Sequence, residues 1–460
     1  MKRKSFKRYI PKSIQTFINN KIHLHIKWNK DLSSSIYELD KEGLIVTVDT
    51  VLRVSSSREL NKEGFVEIPK EYFHKILHND YTIYLDYLIE EKVIICDNKY
   101  EAGTKAKGYK INIDFYSDIT SIEMSNNLLI SRSIKAINQT DTKLKVSTKH
   151  RINFIKDFKI DYEAAYNYML HCFYNKIPDS KGRIMDEYNK MILQRKLMEI
   201  NDGQLFISRS KSNGRIHTNL TFLNGDYKQF INGYYYSLDI VASQPSLVNI
   251  LINLVKLING NMENCGLSIS SYSIYLSYVC KILSNILGKE ETAKLLEKLK
   301  IVKIPSKNEI EKWKNITQKG DVYKHLSDET FVRFGKKISR AEMKVNFMTL
   351  AFSPKNLPNE YKNLFKEIYP TINKFFNDLK SLVDIKRQHK ILSILLQATE
   401  SFIWVECILP ELDKMNIQYH FIHDSIIIKE KDLDRAYLKI EEQFFKFGLT
   451  PQIKVEELKK

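Results

Sequence analysis

The chain has 460 residues, 43% hydrophobic and 11% aromatic, a composition that excludes a disordered chain and supplies sizeable cores. Lysine and arginine number 72 against 55 aspartates and glutamates, and the net charge of +17 points to a polyanionic partner, nucleic acid before an anionic membrane surface. The cysteines (Cys96, Cys172, Cys265, Cys280, Cys407) form no C-x-x-C pair, which excludes a disulfide framework and a zinc site. The longest apolar run, around 247–258, is interrupted by Asn249, Asn253 and Lys256, and Met1-Lys2-Arg3-Lys4 leads into no apolar stretch. A cytoplasmic protein without membrane segments is expected, and length alone suggests about three domains or subdomains.

In chain order, Gly43–Val48 reads as a strand, Pro69–Leu77 and Tyr81–Glu90 as helices, and Val93–Cys96 with Tyr109–Ile113 as a hairpin. Lys99, Lys105, Lys107 and Lys110 lie in and around that hairpin. Helix, helix and basic hairpin are the outline of a winged helix; a solvated hairpin on an ordinary α+β domain fits the same residues. Residues 1–150 are thus expected to be a nucleic-acid-binding module. Residues 151–205 read as a helical segment, with Asp161 as cap and Ala164, Tyr168 and Cys172 along one face. Strands are expected over 205–240, helices over 246–352 with a break near Lys298–Lys307, and helix again at Asp384–Leu409. A strand pair follows at Tyr419–Lys429, then a helix to Phe447 and a last strand near Gln452–Val455. Three β zones separated by long helical blocks make the fold class α+β.

Three segments carry chemistry. Tyr234–Val241 is a β-prone run that ends on one carboxylate, Asp239, before Ala242-Ser243-Gln244-Pro245 opens a helix. A strand that delivers Asp239 to a strand–helix junction can hold a divalent cation, with the Ile240 carbonyl as a second oxygen. His420–Ile428 is an apolar hairpin whose centre is His423-Asp424-Ser425. Ser339 and Glu342 form a capping box on a helix along which Arg340, Lys344, Met348 and Phe352 recur every four residues. That stripe starts cationic and ends apolar and aromatic, which suits a nucleoside triphosphate. Two distant acidic loci, the stripe between them and the basic charge together describe two-metal nucleotidyl transfer, with two cations about 4 Å apart.

The order of these segments resembles the family A DNA polymerases and their relatives, the phage-type single-subunit RNA polymerases. The Asp239 segment is similar to motif A, Arg340-x3-Lys344-x7-Phe352 to motif B, and His423-Asp424-Ser425 to motif C. Gly214-Arg215-Ile216-His217-Thr218 and Gln397-Ala398-Thr399-Glu400-Ser401 resemble two further segments of the bacterial enzymes. The resemblance covers about residues 205–430. It implies a right hand with palm, fingers at about 246–380 and a thumb-like 151–205 segment, the polymerase domain being 206–460. Asp239 and Asp424 would be the catalytic metal carboxylates, with Ile240 as a third ligand, and the cofactor would be two Mg²⁺, or Mn²⁺. Arg340, Lys344, Phe352 and Gln244 would bind the incoming nucleotide; Arg215, His217, Gln397 and His423 would touch the primer–template.

The chain departs from that pattern in ways that bear on sugar choice. Gln244 stands where the DNA enzymes have a Glu that gates the 2′-OH, Phe352-Ser353 where they have Tyr-Gly, and Ser425 where they have Glu. The expected partners are a DNA primer–template and nucleoside triphosphates, with RNA an alternative, and the setting a mobile element such as a plasmid, phage or defence system. A single-subunit RNA polymerase or primase-like enzyme, and a non-catalytic replication initiator, are the competing readings.

Overall fold

The computed structural model describes residues 6–22, 27–28, 37–57, 60–102, 105–137, 158–180, 182–233, 236–260, 269–354, 359–383 and 388–458. The first unit contains β1 (Lys7–Pro11), α1 (Lys12–Ile22), β2 (Lys27–Trp28), β3 (Tyr37–Glu38) and α2 (Lys41–Ser55). It continues with β4 (Val66–Glu67), α3 (Lys70–Leu77), α4 (Tyr81–Glu90), β5 (Ile94–Cys96), β6 (Gly108–Ile111), β7 (Ile119–Glu123) and α5 (Asn127–Ile137). β1 pairs antiparallel with β7, β2 with β3, and β4, β6 and β5 form a three-stranded sheet in that order.

The strand expected at Gly43–Val48 is instead the start of α2. Asp40 caps it, accepting from the Gly43 amide at 3.1 Å. Residues 43–52, 54 and 55 are all buried, so the helix is enclosed on every side, with Asp49 a buried charge among mostly apolar residues. Its β-branched run has the composition of a strand. Its length decides for helix, and Thr47 and Thr50 return their hydroxyls to carbonyls four residues back, at 2.8 and 2.7 Å. Pro69 is the cap of α3 rather than its first residue. After α2 the chain runs through β4, the two helices α3 and α4, and the β5–β6 hairpin. Of the hairpin's lysines, Lys99 donates to Glu63 at 2.9 Å, and Lys110 donates to the Glu63 carbonyl and lies 4.2 Å from the Phe65 ring.

α6 (Tyr162–Tyr174) is capped by Asp161, as expected, but its buried face is Ala165, Met169 and Cys172, not one through Ala164 and Tyr168. α7 (Glu187–Asn201) joins two cores. Tyr188, Met191 and Ile192 pack into the first unit; Leu193, Leu197 and Ile200 pack with Leu220, Tyr227 and Ile231. The 205–240 region is only partly strand: β8 (Ile207–Arg209) and β9 (Ile216–Thr218) form a ribbon, two 3₁₀ turns follow, and β10 (Tyr236–Ile240) closes it.

A helical block follows: α8 (Ser243–Ile258), α9 (Ile269–Leu287), α10 (Lys289–Leu299), α11 (Lys307–Gln318), α12 (Val322–Phe334), α13 (Arg340–Phe352), α14 (Glu360–Ile368) and α15 (Pro370–Lys380). It packs around Trp313, Phe347, Phe365 and Phe376. α16 (Gln388–Ser401) runs through a π-helical turn at Phe402–Ile408 into α17 (Leu409–Lys414); of the helix expected to begin at Asp384, positions 384–387 lie outside the described residues. Lys390–Lys414, and not the 247–258 run, is the stretch long and apolar enough to cross a membrane among the described residues, and 72% of its apolar window is buried as a core helix. β11 (Tyr419–Ile422), β12 (Ser425–Ile428), α18 (Leu433–Phe445) and β13 (Ile453–Glu457) complete the chain. Their sheet is antiparallel with order β11-β12-β10-β13. The molecule is mixed α+β and rich in helix.

Candidate active site

The central sheet brings the two acidic segments together. Asp239 pairs with Ser425 across β10 and β12, so Asp424 lies one residue from its direct cross-strand neighbour. Adjacent strands run roughly 4.8 Å apart. His423 and Asp424 make the two-residue turn between β11 and β12, closed by Ile422 pairing with Ser425. His423 takes a left-handed backbone (φ 50°), and Ala242, three residues after Asp239, does too (φ 50°, ψ 48°). Non-glycine residues adopt this region at a cost, so both carboxylates sit beside strained backbone.

Burial pushes the Asp424 carboxyl up to about 7, and the nearby negative charges of Glu400 and Asp239 push the same way. Asp239 is also raised, by burial, against the opposing pull of Lys228, Lys344 and Lys454. Buried like charges of this kind call for a counter-charge. Oxygen donors on two carboxylates suit a hard divalent cation. Among the described residues no group of three or more His, Cys, Asp or Glu side chains has the geometry of a metal site, so such a cation would depend on this pair, backbone oxygen and water.

Glu400, on α16, is only 1% exposed and lies close enough to Asp424 for its charge to act there. One of its oxygens accepts from Ser243 Oγ at 2.9 Å and from Gln244 Nε2 at 2.8 Å; the other pairs with Arg215. Gln244 is 7% exposed and its Oε1 has no hydrogen-bond partner among the described residues. Arg215 is thus tied to Glu400, with its Nε buried and unpartnered. His217 and His423 meet edge to face at 5.1 Å. Burial, then the charge of Arg215, lowers His217 to about 4; burial, then Arg215 and His217, lowers His423 to about 3. Both rings are therefore neutral near pH 7. Gln397 Oε1 accepts from Asn213 at 2.9 Å, which fixes the loop before Gly214. Gly214 has φ 72°, and a Cβ there would lie 1.8 Å from the Tyr278 hydroxyl, so only glycine fits.

On α13 Ser339 is the N-cap, accepting from the Glu342 amide at 3.2 Å, which is the first half of the expected capping box. Met343, Phe347, Leu350 and Ala351 face the core, leaving the expected stripe outward. Lys344 is close enough to Asp239 to act on its charge. Arg340 instead bonds Asp321 at 2.9 Å and lies 5.9 Å from the Tyr323 ring. Lys344, Met348 and Phe352 line a shallow open groove with Val345, Thr349 and Ser353. The structure thus gathers Asp239, Asp424, Lys344, Gln244, Arg215, His217 and His423, with Arg340 and Phe352 at the two ends of α13. Glu400 is the residue that sequence reasoning passed over. Its signal was its place in the Gln397–Ser401 segment, where the chain carries a carboxylate.

No protein-family model matches the sequence, and no curated protein matches it. Among solved structures, the POL domain of Pol1 from M. smegmatis, in complex with DNA primer-template and dNTP, is similar over 72% of this chain and 73% of that one, at 9% identity and a TM-score of 0.32. A likeness this weak carries no functional conclusion.

Proposed function

We propose that this chain is a template-directed nucleotidyltransferase, most simply a compact DNA polymerase of the family A type serving a mobile element. One observation carries the reading: two buried carboxylates, Asp239 and Asp424, on neighbouring strands of an antiparallel sheet, both raised in pKa, with Lys344 of α13 in electrostatic reach. Asp239, Asp424 and the Ile240 carbonyl would hold Mg²⁺, or Mn²⁺, which takes the same oxygen donors. Bound ions would supply charge neutralisation at the attacking hydroxyl and the departing pyrophosphate.

The chain's own groups do the rest. Lys344, and Arg340 once released from Asp321, neutralise the triphosphate. Phe352 lies against the base, at the apolar end of the stripe. The neutral imidazoles of His217 and His423 suit base edges or sugar in the minor groove rather than phosphate, with Arg215 and Gln397 beside them. Gln244 occupies the position next to the sugar. The basic charge of the whole chain supports a primer–template as partner.

An RNA polymerase is the second reading, and a specific feature favours it: the unpartnered Gln244 Oε1 could accept a hydrogen bond from a ribose 2′-OH. The test of both is primer extension on defined DNA and RNA templates, with dNTPs and NTPs supplied separately, by the wild type and by Asp239→Asn and Asp424→Asn. Extension lost in both folded variants is the expected result; extension retained in either would overturn the proposal.

A further inference from the structure

A cavity of about 540 Å³ lies between the first unit and the β8–β9 ribbon, lined from β1, α2, α3, α5, α7, β8 and β9. That is within the size range of small-molecule sites, roughly 300–1,000 Å³. Its charged lining is Arg8, Arg53, Lys75, Lys196, Arg209 and Lys211, against one acidic side chain among the described residues, Glu199. Glu199 is already engaged by Arg53 and by Arg195. Asp49, behind it, accepts from Arg8 at 2.6 Å and from Arg195 at 2.8 and 3.0 Å. Three guanidiniums therefore share two carboxylates, and the cluster is one anion short.

The unmet donors identify the same shortage. Arg8 is 1% exposed, yet its Nε and Nη2 have no partner among the described residues, and neither does Arg53 Nε. A buried N–H without an acceptor is costly. Burial, then the like charge of Arg195, lowers Arg53 to about 9. His217 is the third residue on this lining with an unpartnered atom, its Nδ1. Beside these cations runs a row of rings: Phe206 and Phe222 stack at 6.0 Å and 25°, Phe222 and His217 at 5.8 Å and 8°. The Arg53 guanidinium lies 5.9 Å from the Phe206 ring.

Buried guanidinium donors next to an aromatic wall match a ligand that joins a phosphate to a planar base. We propose that this cavity binds a nucleoside 5′-phosphate, with the phosphate on Arg8 and Arg53 and the base against Phe206 and Phe222. Two sources share that chemistry, a free mononucleotide and the 5′-phosphorylated end of a strand. The site uses neither Asp239 nor Asp424; it shares His217 with the candidate active site, whereas Arg53 and Phe206 belong to this cavity.

The test is equilibrium titration of the full chain in EDTA, which keeps divalent cations from the carboxylate pair. The probes are dAMP, 2′-deoxyadenosine, and one DNA oligonucleotide with either a 5′-phosphate or a 5′-hydroxyl. Phosphorylated probes should bind at least tenfold more tightly than their unphosphorylated counterparts. Preference for dAMP would mark a free nucleotide as the ligand; preference for the phosphorylated oligonucleotide would mark a strand end. Arg53→Gln and Phe206→Ala should each weaken binding tenfold or more. Phe206 is only partly buried and makes no ion pair, so Phe206→Ala decides the matter if Arg53→Gln unfolds. No gain from the phosphate, or a folded Phe206→Ala that binds like the wild type, overturns the proposal.

Discussion

Asp424 is the residue whose charge is least comfortable. Its carboxyl is raised to about 7 in the folded chain against an ordinary value of 3.8, so the folded state holds a proton that the unfolded state has released. Between those values stability falls as pH rises, and the full cost, on the order of a few kcal/mol, is present above pH 7. Asp424→Asn should therefore stabilise the metal-free protein at pH 8 and leave it nearly unchanged near pH 4, as read by urea denaturation. Added Mg²⁺ should raise the Tm of the wild type more at pH 8 than at pH 5.5, and that difference should vanish in Asp424→Asn; equal shifts in both proteins would argue against a cation at this carboxylate. Gln244 poses a second question at the same scale. Its amide is held by Glu400 through Nε2, which turns Oε1 toward a place with no partner. A DNA polymerase would use the bulk of this side chain to exclude the 2′-OH, leakily, because the acceptor can also bond it. Gln244→Ala should raise NTP over dNTP incorporation tenfold or more, about 1.4 kcal/mol. Glu400→Gln, which loosens the amide without shrinking it, should move the ratio less. If the wild type already prefers NTPs, or the ratio of kcat/KM stays fixed in Gln244→Ala, the RNA polymerase reading takes over.

Helix α13 carries two cations that the structure does not treat alike. Lys344 acts on Asp239 across the site, whereas Arg340 is held by Asp321. Lys344→Ala should lower single-turnover incorporation by about a hundredfold, the range for removing one preorganised charge from a developing anion. Arg340→Ala should cost less, and duplex binding should hardly change in either, since it spreads over many phosphates. A Lys344→Ala turnover equal to that of the wild type would falsify the nucleotide-binding role of the stripe. The Ser339 cap and outward stripe of α13 were legible in the sequence because local spacing alone fixes them. So was the β11–β12 turn, where polar His423-Asp424 interrupts two apolar runs. α2 was not legible: Ile45, Val46, Thr47 and Val48 have the composition of a strand, and only burial on every side makes a helix of them. Glu400 was legible only as a member of the Gln397–Ser401 segment, not in its role. On an isolated helix it reads as an ordinary polar position, and its meaning comes from Ser243, Gln244 and Arg215, which the fold carries to it from far away.

The first unit and the rest of the molecule are joined by α7 and by a buried ion cluster, which limits how the parts can be tested. Asp49 is fully buried. Burial would raise its carboxyl, but the charges of Arg195, Arg8 and Arg53 outweigh that and lower it to about 2. Asp49→Ala would leave Arg8 without its carboxylate and Arg195 with Glu199 alone, and a loss of about 3–5 kcal/mol is expected in urea denaturation; a loss below about 1 kcal/mol would show that solvent reaches the cluster. Removing residues 1–150 outright would strip the partners from Tyr188, Met191 and Ile192 on α7 as well, so it cannot separate nucleic-acid binding from folding. Charge removal on the β5–β6 hairpin can. Lys99 and Lys110 already serve Glu63, which leaves Lys105 and Lys107 as the better candidates for binding phosphates from this module. Every phosphate that a lysine no longer neutralises should flatten the slope of log affinity against log salt by about 0.9 on duplex DNA. The double variant Lys105→Gln, Lys107→Gln should then reduce the slope by up to about 2 while leaving stability and single-nucleotide incorporation at saturating DNA intact. Lys99→Gln should change it less. If the double variant keeps the wild-type slope, the hairpin is a solvated turn on an α+β unit, and the +17 charge must meet nucleic acid elsewhere on the surface.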